Sequence, residues 1–286
     1  MSLRPPLPLC GRGVSSWADI PLDRPRVMGV LNVTPDSFSD AGVHFDCGRA
    51  IAAGRAMAEA GADIIDVGGE STRPFSSPTD PIEERARVIP VIAALAGAGL
   101  VVSVDSRNAA TMAAALDAGA RIVNDVSALT HDPAAARLVA DRGCPVVLMH
   151  MRGEPSTMMN FASYGDVAAE VAAELTERVE AARQAGIRRE QIILDPGIGF
   201  AKQPAQSVEL LRRLPELARL GFPILVGVSR KGFIGRLTGV SEPRDRLAGS
   251  LAAGLFAVAR GASMLRVHNI SETVQGLHVW HALAAD

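Results

Sequence analysis

The sequence predicts a (β/α)8 barrel of the α/β class, with an active site at the carboxyl ends of its strands. Three observations lead to this prediction. Short runs rich in Val, Ile and Leu alternate with longer segments whose apolar residues recur at helical spacing. The short runs lack period-two alternation, which indicates strands of a parallel sheet buried on both faces. Eight such units within about 250 residues match the usual size of this barrel.

Eight apolar runs are predicted as the strands. They are Arg26–Leu31, Asp63–Val67, Leu100–Val104, Arg121–Val126, Pro145–Met149, Gln191–Leu194, Pro223–Val228 and Met264–Val267. An open, doubly wound sheet is the alternative, because periodicity does not reveal whether a sheet closes. The dinucleotide-binding pattern G-x-G-x-x-G, the commonest reason to prefer the open sheet, does not follow the first strand.

Helices are predicted between the strands. Their ranges are Cys47–Ala60, Pro81–Ala96, Ala109–Ala118, Pro133–Asp141, Asp166–Ala185, Ala205–Leu220, Pro243–Arg260 and Ser271–Ala284. Glycines such as Gly61 and Gly119 follow these segments and suit helix C-caps. Residues 1–25 precede the pattern and are rich in proline, which predicts an irregular segment outside the barrel domain, residues 26–286.

Composition limits the possible partners. With 48% hydrophobic and 21% charged residues, a chain of 286 residues can bury a large core. A net charge of −2 gives no basic bias toward nucleic acid. The longest uncharged run, residues 88–104, contains Pro90, Gly97 and Gly99, which argues against a membrane span. Three cysteines without metal-type spacing, and a proline-broken start unlike a signal peptide, predict a cytoplasmic location.

Polar residues follow nearly every predicted strand, and in such a barrel the strand ends meet at one mouth. These candidates are Asn32, Asp36, Gly68, Gly69, Glu70, Ser71, Thr72, Arg73, Asp105, Ser106, Asn124, Asp125, His150, Asp195, Ser229, Arg230, Lys231, Arg266 and His268. The carboxylates of Asp105 and Asp195 supply acceptors, and the amide of Asn124 supplies a donor and an acceptor. Together these groups suit a flat heterocycle with an amino-pyrimidinone edge. A cationic set suits phosphate or carboxylate oxygens. Its members are Arg73, Lys231, Arg266 and His268, with Arg230 as a further candidate.

Seven segments carry a family resemblance. They are MGVLNVTPDSFSD at 28–40, GADIIDVGGESTRP at 61–74, VSVDS at 102–106, VNDVS at 123–127, LDPGIGFAK at 194–202, SRK at 229–231 and RVH at 266–268. With them the chain resembles the dihydropteroate synthases, pterin-binding TIM-barrel enzymes of folate biosynthesis. The resemblance implies a homodimer that condenses 6-hydroxymethyl-7,8-dihydropterin diphosphate with p-aminobenzoate, with Mg²⁺ as cofactor.

The resemblance also implies a role for individual residues. Those implied to hold the pterin ring are Asp105, Asn124, Asp195 and Lys231. Those implied to bind the diphosphate are Asn32, Arg266 and His268, with Asn32 also a ligand of Mg²⁺. Asp36, Thr72 and Arg73 would lie on two loops that close over the site and place p-aminobenzoate. Phe200 would border the pocket, and Ser229 is included among the substrate-binding residues. The catalytic set is thus Asn32, Asp36, Arg73, Lys231, Arg266 and His268.

Three positions depart from the family pattern. Gly232 lacks the hydroxyl that often follows SRK, so we expect backbone N–H groups there to meet the p-aminobenzoate carboxylate. Asn269 replaces an Asp and is expected to cap the following helix. Phe75 stands where Gly is common.

Two related functions remain open at this stage. A corrinoid-linked pterin methyltransferase would share the barrel and the Asp/Asn/Asp pocket but does not need the first loop or RVH. A non-catalytic paralogue would bind pterin without turnover. A purely structural barrel does not explain so many ionisable groups at one end.

Overall fold

The computed structural model describes residues 16–34, 39–40, 44–71 and 79–284. Its strands, in chain order, are β1 (Ser16–Trp17), β2 (Ile20–Pro21), β3 (Arg26–Asn32), β4 (Ser39–Asp40), β5 (His44–Phe45), β6 (Ile64–Gly68), β7 (Val102–Asp105), β8 (Ile122–Asp125), β9 (Val146–Met149), β10 (Ile192–Asp195), β11 (Leu225–Val226) and β12 (Met264–Val267). The eight predicted strands are all present, with ends that differ by a few residues.

A parallel sheet of eight strands forms the centre of the described chain. The strand order is β10-β9-β8-β7-β6-β3-β12-β11, and every neighbouring pair is parallel. A parallel bridge between Leu194 and Ile224 joins the two edges, where the Leu194 N–H donates to the carbonyl of Pro223 over 3.0 Å. The barrel prediction is confirmed, and the open sheet is excluded because its edges pair with each other.

Helices follow the barrel strands along the chain. They are α1 (Cys47–Glu59), α2 (Pro81–Gly97), α3 (Ala109–Asp117), α4 (Ala135–Arg142), α5 (Val167–Gln184), α6 (Pro204–Arg212), α7 (Leu214–Ala218), α8 (Gly232–Thr238), α9 (Leu247–Ala259) and α10 (Ile270–Ala284). None of the helices in the described part of the chain has both the length and the hydropathy that a bilayer span needs.

Two helix predictions need correction. The single helix expected over 205–220 is interrupted at Arg213, because the ring of Pro215 removes the N–H that would continue the ladder. Helix α8 was not predicted at all. It has seven residues, among them Gly232 and Gly235, and glycine has a low helix propensity.

The two faces of the barrel strands pack differently. Outward residues such as Val27, Val67 and Leu194 belong to the core shared with the helices. Inward residues at the amino ends form a second apolar cluster. Its strand members are Met28, Ile64, Ile122, Val147, Ile193, Leu225 and Met264. The strands are therefore buried on both faces in their lower half, as their apolar composition predicts.

The N-terminal hairpin covers the amino end of the barrel. Strands β1 and β2 pair antiparallel, and Trp17, Ile20 and Leu22 join the inner cluster. Trp17 is 1% exposed, and its indole N–H donates to the Gln191 carbonyl over 2.9 Å. The prediction of an irregular segment over residues 1–25 is wrong for residues 16–21, because burial of the Trp17 indole fixes a hairpin too short to show a strand period.

Candidate active site

Alternation along each strand places the predicted polar residues on one inner surface. In a strand, residues two apart face the same side. The residues two or four positions after the members of the inner apolar cluster therefore face the same way, at the carboxyl ends of the strands. They are Asn32, Gly68, Asp105, Asn124, Met149, Asp195, Ser229 and His268. Asn32, Gly68, Asp105 and Asn124 are register partners across β3, β6, β7 and β8.

Gly68 leaves room for the carboxylate beside it. A Cβ built at Gly68 would lie 3.3 Å from Asp105 Cβ and 3.4 Å from its Oδ2. A larger side chain there would therefore crowd Asp105.

Arg266 links the two sides of this mouth. Its Nη2 donates to Asp105 Oδ2 over 2.6 Å, and its Nε donates to Asp66 Oδ2 over 2.6 Å. Asn124 Nδ2 donates to the same Asp66 oxygen over 2.9 Å. Two candidates for the heterocycle, Asp105 and Asn124, thus share one network with a candidate for the anionic group.

Asp66 is a functional candidate that the strand-end rule missed. It lies in the middle of β6, is fully buried, and its Oδ1 has no hydrogen-bond partner among the described residues. A buried carboxylate oxygen without a donor is costly, which makes this atom a candidate for contact with a bound water or ligand. The signal was present in the sequence, since Asp66 is the one charged residue inside the apolar run IIDVG.

Burial and charge oppose each other in this network. Burial, with Asp66 nearby, raises the pKa of Asp105 to about 7, although Arg266 acts to lower it. For Arg266, burial lowers the pKa, but Asp66 and Asp105 more than offset this and hold its pKa above the usual value. Arg266 is therefore a permanent cation between two carboxyl groups, whereas Asp105 can change its protonation near neutral pH.

Asp195 and Lys231 occupy the other side of the mouth. Burial raises the pKa of Asp195, against the attraction of Lys231, Arg266 and Lys202. Burial lowers the pKa of Lys231 to about 8, against the attraction of Asp195. The Lys231 ammonium lies 4.0 Å from the centre of the Phe200 ring, a cation–π distance. A flat ring could enter beside Asp195 with Phe200 and Lys231 at its edge.

Ser229 follows β11, His268 follows β12, and the two residues contact each other. The His268 backbone N–H donates to Ser229 Oγ over 3.2 Å, and His268 Nδ1 lies 3.1 Å from the same oxygen. The Arg230 side chain bonds Asn269: its Nε and Nη2 donate to Asn269 Oδ1 over 3.2 and 3.0 Å. The side-chain oxygen of Asn269, expected to cap the helix, serves Arg230 instead.

A buried ion pair borders the same mouth. Arg107 donates to both carboxylate oxygens of Glu70 over 3.0 Å, and it also contacts Glu154. Glu70 in turn accepts from the Thr79 backbone N–H over 3.2 Å. The pair thus anchors Thr79 to the end of β6. Arg107 was not among the predicted residues because its role depends on contacts distant in sequence.

Four predicted positions lie outside the described residues. They are Asp36, Thr72, Arg73 and the departure at Phe75. Their implied roles stay predictions.

The side-chain oxygen of Asn32 is a suitable ligand for a Mg²⁺ ion that is bound to a phosphate group. Asn32 ends β3 and is partly exposed. Mg²⁺ favours oxygen ligands, keeps several waters, and commonly uses one or two protein groups together with phosphate oxygens. Among the described residues there is no group of three or more His, Cys, Asp or Glu that could hold a metal alone. One amide oxygen at this position fits a Mg²⁺ ion that is also bound by phosphate oxygens.

The arrangement combines two kinds of recognition at one mouth. Carboxyl and amide groups on β7, β8 and β10 offer donors and acceptors to a flat polar ring. Arg266, Lys231 and His268 offer positive charge or N–H donors to an anion. A substrate with a heterocycle joined to a phosphate group would meet both sets.

Comparison with known proteins agrees with this geometry. The family model described as "Pterin binding enzyme" matches residues 28–268. The dihydropteroate synthase of Synechocystis sp. is 45% identical over 280 residues, covering 98% of this chain and 95% of that protein. The Xanthomonas albilineans dihydropteroate synthase structure with 4-aminobenzoic acid is 50% identical, with a TM-score of 0.88 over 93% of this chain and 96% of that one. Its complex with 7,8-dihydropteroate is 48% identical, with a TM-score of 0.85 and the same coverage. The chain therefore belongs to the pterin-binding enzyme family, as one of its dihydropteroate synthases.

Proposed function

We propose how the described residues carry out the dihydropteroate synthase reaction. The amine nitrogen of p-aminobenzoate bonds to the methylene carbon of 6-hydroxymethyl-7,8-dihydropterin diphosphate. The carbon–oxygen bond to diphosphate breaks with its electron pair, and the amine loses a proton. No side-chain nucleophile is needed. The chain must therefore hold the ring, stabilise the leaving group and admit the amine.

The pterin ring is held by Asp105, Asn124, Asp195 and Lys231 in this proposal. The observation that carries the proposal is the position of Arg266, which bonds Asp105 over 2.6 Å and thereby joins the ring site to the anion site. The electron-rich dihydropterin shares the positive charge that develops on the methylene carbon. Ionised carboxylates near the ring would stabilise that charge.

The diphosphate is received by Arg266 and His268, with Ser229 orienting the imidazole. The bonds of Arg266 to Asp66 and Asp105 use Nε and Nη2, and 23% of its side chain remains exposed. Its Nη1 is therefore available to a phosphate oxygen, while its carboxylate partners keep the guanidinium in place. Such a preorganised cation stabilises the charge that grows on the departing oxygen.

We propose that Asn32 contacts Mg²⁺ carried by the diphosphate. The ion, when bound, would neutralise phosphate charge and make diphosphate a better leaving group. Asn32, Asp36 and Arg73 complete the proposed catalytic set, and Thr72 contributes to p-aminobenzoate binding.

The decisive experiment measures diphosphate release and dihydropteroate formation with and without p-aminobenzoate. We expect release coupled to product only when p-aminobenzoate is present, and a large loss in Lys231→Ala. Arg244→Ala, at an exposed arginine outside the site, is the matched control and should keep full activity. Pterin binding without turnover would favour the non-catalytic paralogue, and transfer of a methyl group would favour the methyltransferase.

We also propose a homodimer in the cytoplasm. Apolar side chains remain exposed on α9 and α10, where Phe256 is 38%, Val279 56% and Leu283 81% exposed. Sedimentation should give twice the chain mass, and Val279→Asp should shift it to the monomer. Leu237→Asp, which changes another exposed leucine on α8, is the control. A wild-type monomer at micromolar concentration would contradict the proposal.

A further inference from the structure

Lys202 is one of two lysines in a chain with 29 basic residues. The other is Lys231, at the mouth of the site. Lys202 is 2% exposed, so its ammonium is shielded from solvent. Burial lowers its pKa to about 7, against the attraction of Asp195 and Glu174. A buried lysine outside the substrate contacts needs an explanation in the surrounding structure.

The ammonium of Lys202 has three acceptors. It donates to the carbonyl of Gly197 over 3.1 Å, to the carbonyl of Phe200 over 3.0 Å, and to His150 Nδ1 over 2.8 Å. In its protonated form the lysine has three N–H donors, one for each of these acceptors. A planar guanidinium could not point at three acceptors arranged around one nitrogen, which accounts for lysine here in an arginine-rich chain.

His150 is fixed as an acceptor by its own contacts. Its Nε2 lies 3.0 Å from Glu174 Oε2, and Arg152 Nε donates to Glu174 Oε1 over 2.9 Å. Burial lowers the pKa of His150 to about 4, so the ring is neutral at pH 7. With the proton on Nε2 facing Glu174, the lone pair of Nδ1 faces Lys202. Arg152 thus holds Glu174, Glu174 orients His150, and His150 accepts a hydrogen bond from the Lys202 ammonium.

The segment that Lys202 holds is unusually shaped. Gly197, Gly199 and Ala201 all have positive φ, of 64°, 79° and 48°. A Cβ at Gly197 would lie 1.9 Å from the His150 carbonyl oxygen, so the backbone can pass only as glycine. A non-glycine residue such as Ala201 at positive φ is strained, and the surrounding contacts must compensate. The two carbonyl bonds from Lys202 span this strained turn.

The same segment presents two proposed ring-binding groups. Asp195 begins it, and its Oδ1 accepts from the Gly197 N–H over 2.7 Å. Phe200 lies near its end, with its ring against Lys231. Any shift of the Gly197 and Phe200 carbonyls therefore moves the carboxylate and the ring that meet the pterin.

We propose that Lys202 is a positioning residue that holds the 195–200 segment in the shape that binds the pterin ring. This inference rests on the proposed roles of Asp195 and Phe200. Lys202 touches no substrate; it acts through the backbone carbonyls of the segment. Its loss weakens binding of the ring itself and leaves the diphosphate contacts in place.

The test compares Lys202→Met with Gln191→Met. Gln191 is 3% exposed and bonds to the Cys144 carbonyl and the Arg188 N–H at the opposite end of β10. It is therefore a matched buried polar residue away from the site. The probe is 6-hydroxymethyl-7,8-dihydropterin without diphosphate, titrated by calorimetry. We expect about 10- to 100-fold weaker binding in Lys202→Met, the usual cost of misplaced binding groups, and a change within about twofold in Gln191→Met.

A double-mutant cycle separates positioning from general damage. In the Asp195→Asn background, Lys202→Met should add little further loss, because both changes act on the same contact. Additive losses would overturn the proposal, as would a folded Lys202→Met protein that binds the probe like wild type. If Lys202→Met does not fold, Lys202→Arg decides, because it keeps a cation at this position while its planar guanidinium cannot bond both carbonyls and His150 Nδ1 from one nitrogen. It should bind the probe several-fold more weakly than wild type, and unchanged binding would overturn the proposal. Failure of the wild type to bind the probe would instead contradict the proposed ring site.

Discussion

Acidification from pH 7 to pH 5 tests the buried imidazole of His150. Burial lowers its pKa from 6.5 to about 4. A group whose pKa is lower in the folded protein favours folding above its unfolded pKa, and this contribution is lost as the pH falls toward the folded pKa. At about 1.4 kcal/mol per pKa unit, the full contribution is about 3 kcal/mol. About 2 kcal/mol of it should be lost between pH 7 and pH 5.

Asp105 works in the opposite direction over the same range. Its pKa is raised from 3.8 to about 7, so the folded protein takes up a proton that the unfolded chain does not. This uptake stabilises the fold as the pH falls from 7 toward 4. The two effects oppose each other in the wild type, which means that its acid stability alone does not test His150.

The assay is therefore a difference between two proteins. Urea unfolding of wild type and His150→Asn at pH 5, 6 and 7 gives the free energy of unfolding of each. The asparagine can still accept from Lys202 but cannot gain a proton. Between pH 7 and pH 5, wild type should lose about 2 kcal/mol more than the variant. Parallel pH curves for the two proteins would refute the argument, because they would mean that His150 is protonated as readily in the folded protein as in the unfolded chain.

Four further predictions concern the site and the barrel floor. Asp66→Asn removes one of the two negative charges that hold Arg266, so we expect kcat/KM for the pterin diphosphate to fall about 10- to 100-fold while KM for p-aminobenzoate stays constant; equal losses for both substrates would contradict it. Because the pKa of Lys231 is lowered to about 8, kcat/KM for the pterin diphosphate should decline above pH 8, and Lys231→Arg should move that decline to higher pH. A Cβ at Gly232 meets nothing within 4 Å, so Gly232→Ser should leave thermal stability unchanged and lower KM for p-aminobenzoate about 2- to 10-fold if its hydroxyl meets the carboxylate. Trp17→Ala should cost about 3–5 kcal/mol in urea unfolding, and a loss below about 1 kcal/mol would show that the hairpin does not seal the barrel.

The sequence was sufficient for the architecture because each strand and most helices carry a local pattern. Apolar runs located all eight barrel strands, and residues at their ends located Asp105, Asn124 and Asp195. The break at Arg213 and helix α8 were missed, because a proline inside a helical pattern and a short glycine-containing helix give weak signals. Both differences concern helices that connect barrel strands, and neither changes the strands.

The missed site residues have a common physical cause. Asp66 lies two residues before Gly68, so it shares the inner face with the strand-end residues, yet it sits inside an apolar run. Counting back by two from each strand end would have found it. Arg107 and Lys202 have no such signal, since their partners are 37 and 52 residues away along the chain. Their roles follow only from the three-dimensional contacts.

The choice between lysine and arginine shows how the site divides its charge. Arg266 bonds two carboxyl groups and keeps its charge at any accessible pH. Lys202 bonds backbone carbonyls of the segment that holds Asp195 and Phe200, and Lys231 lies against the Phe200 ring. Burial lowers the pKa of both lysines. The compact ammonium of Lys202 bonds two carbonyl oxygens and a ring nitrogen from one atom, an arrangement that a planar guanidinium would not match. In the proposed site, the permanent cation thus lies at the position assigned to the diphosphate, and the two lysines lie beside the segment assigned to the pterin ring.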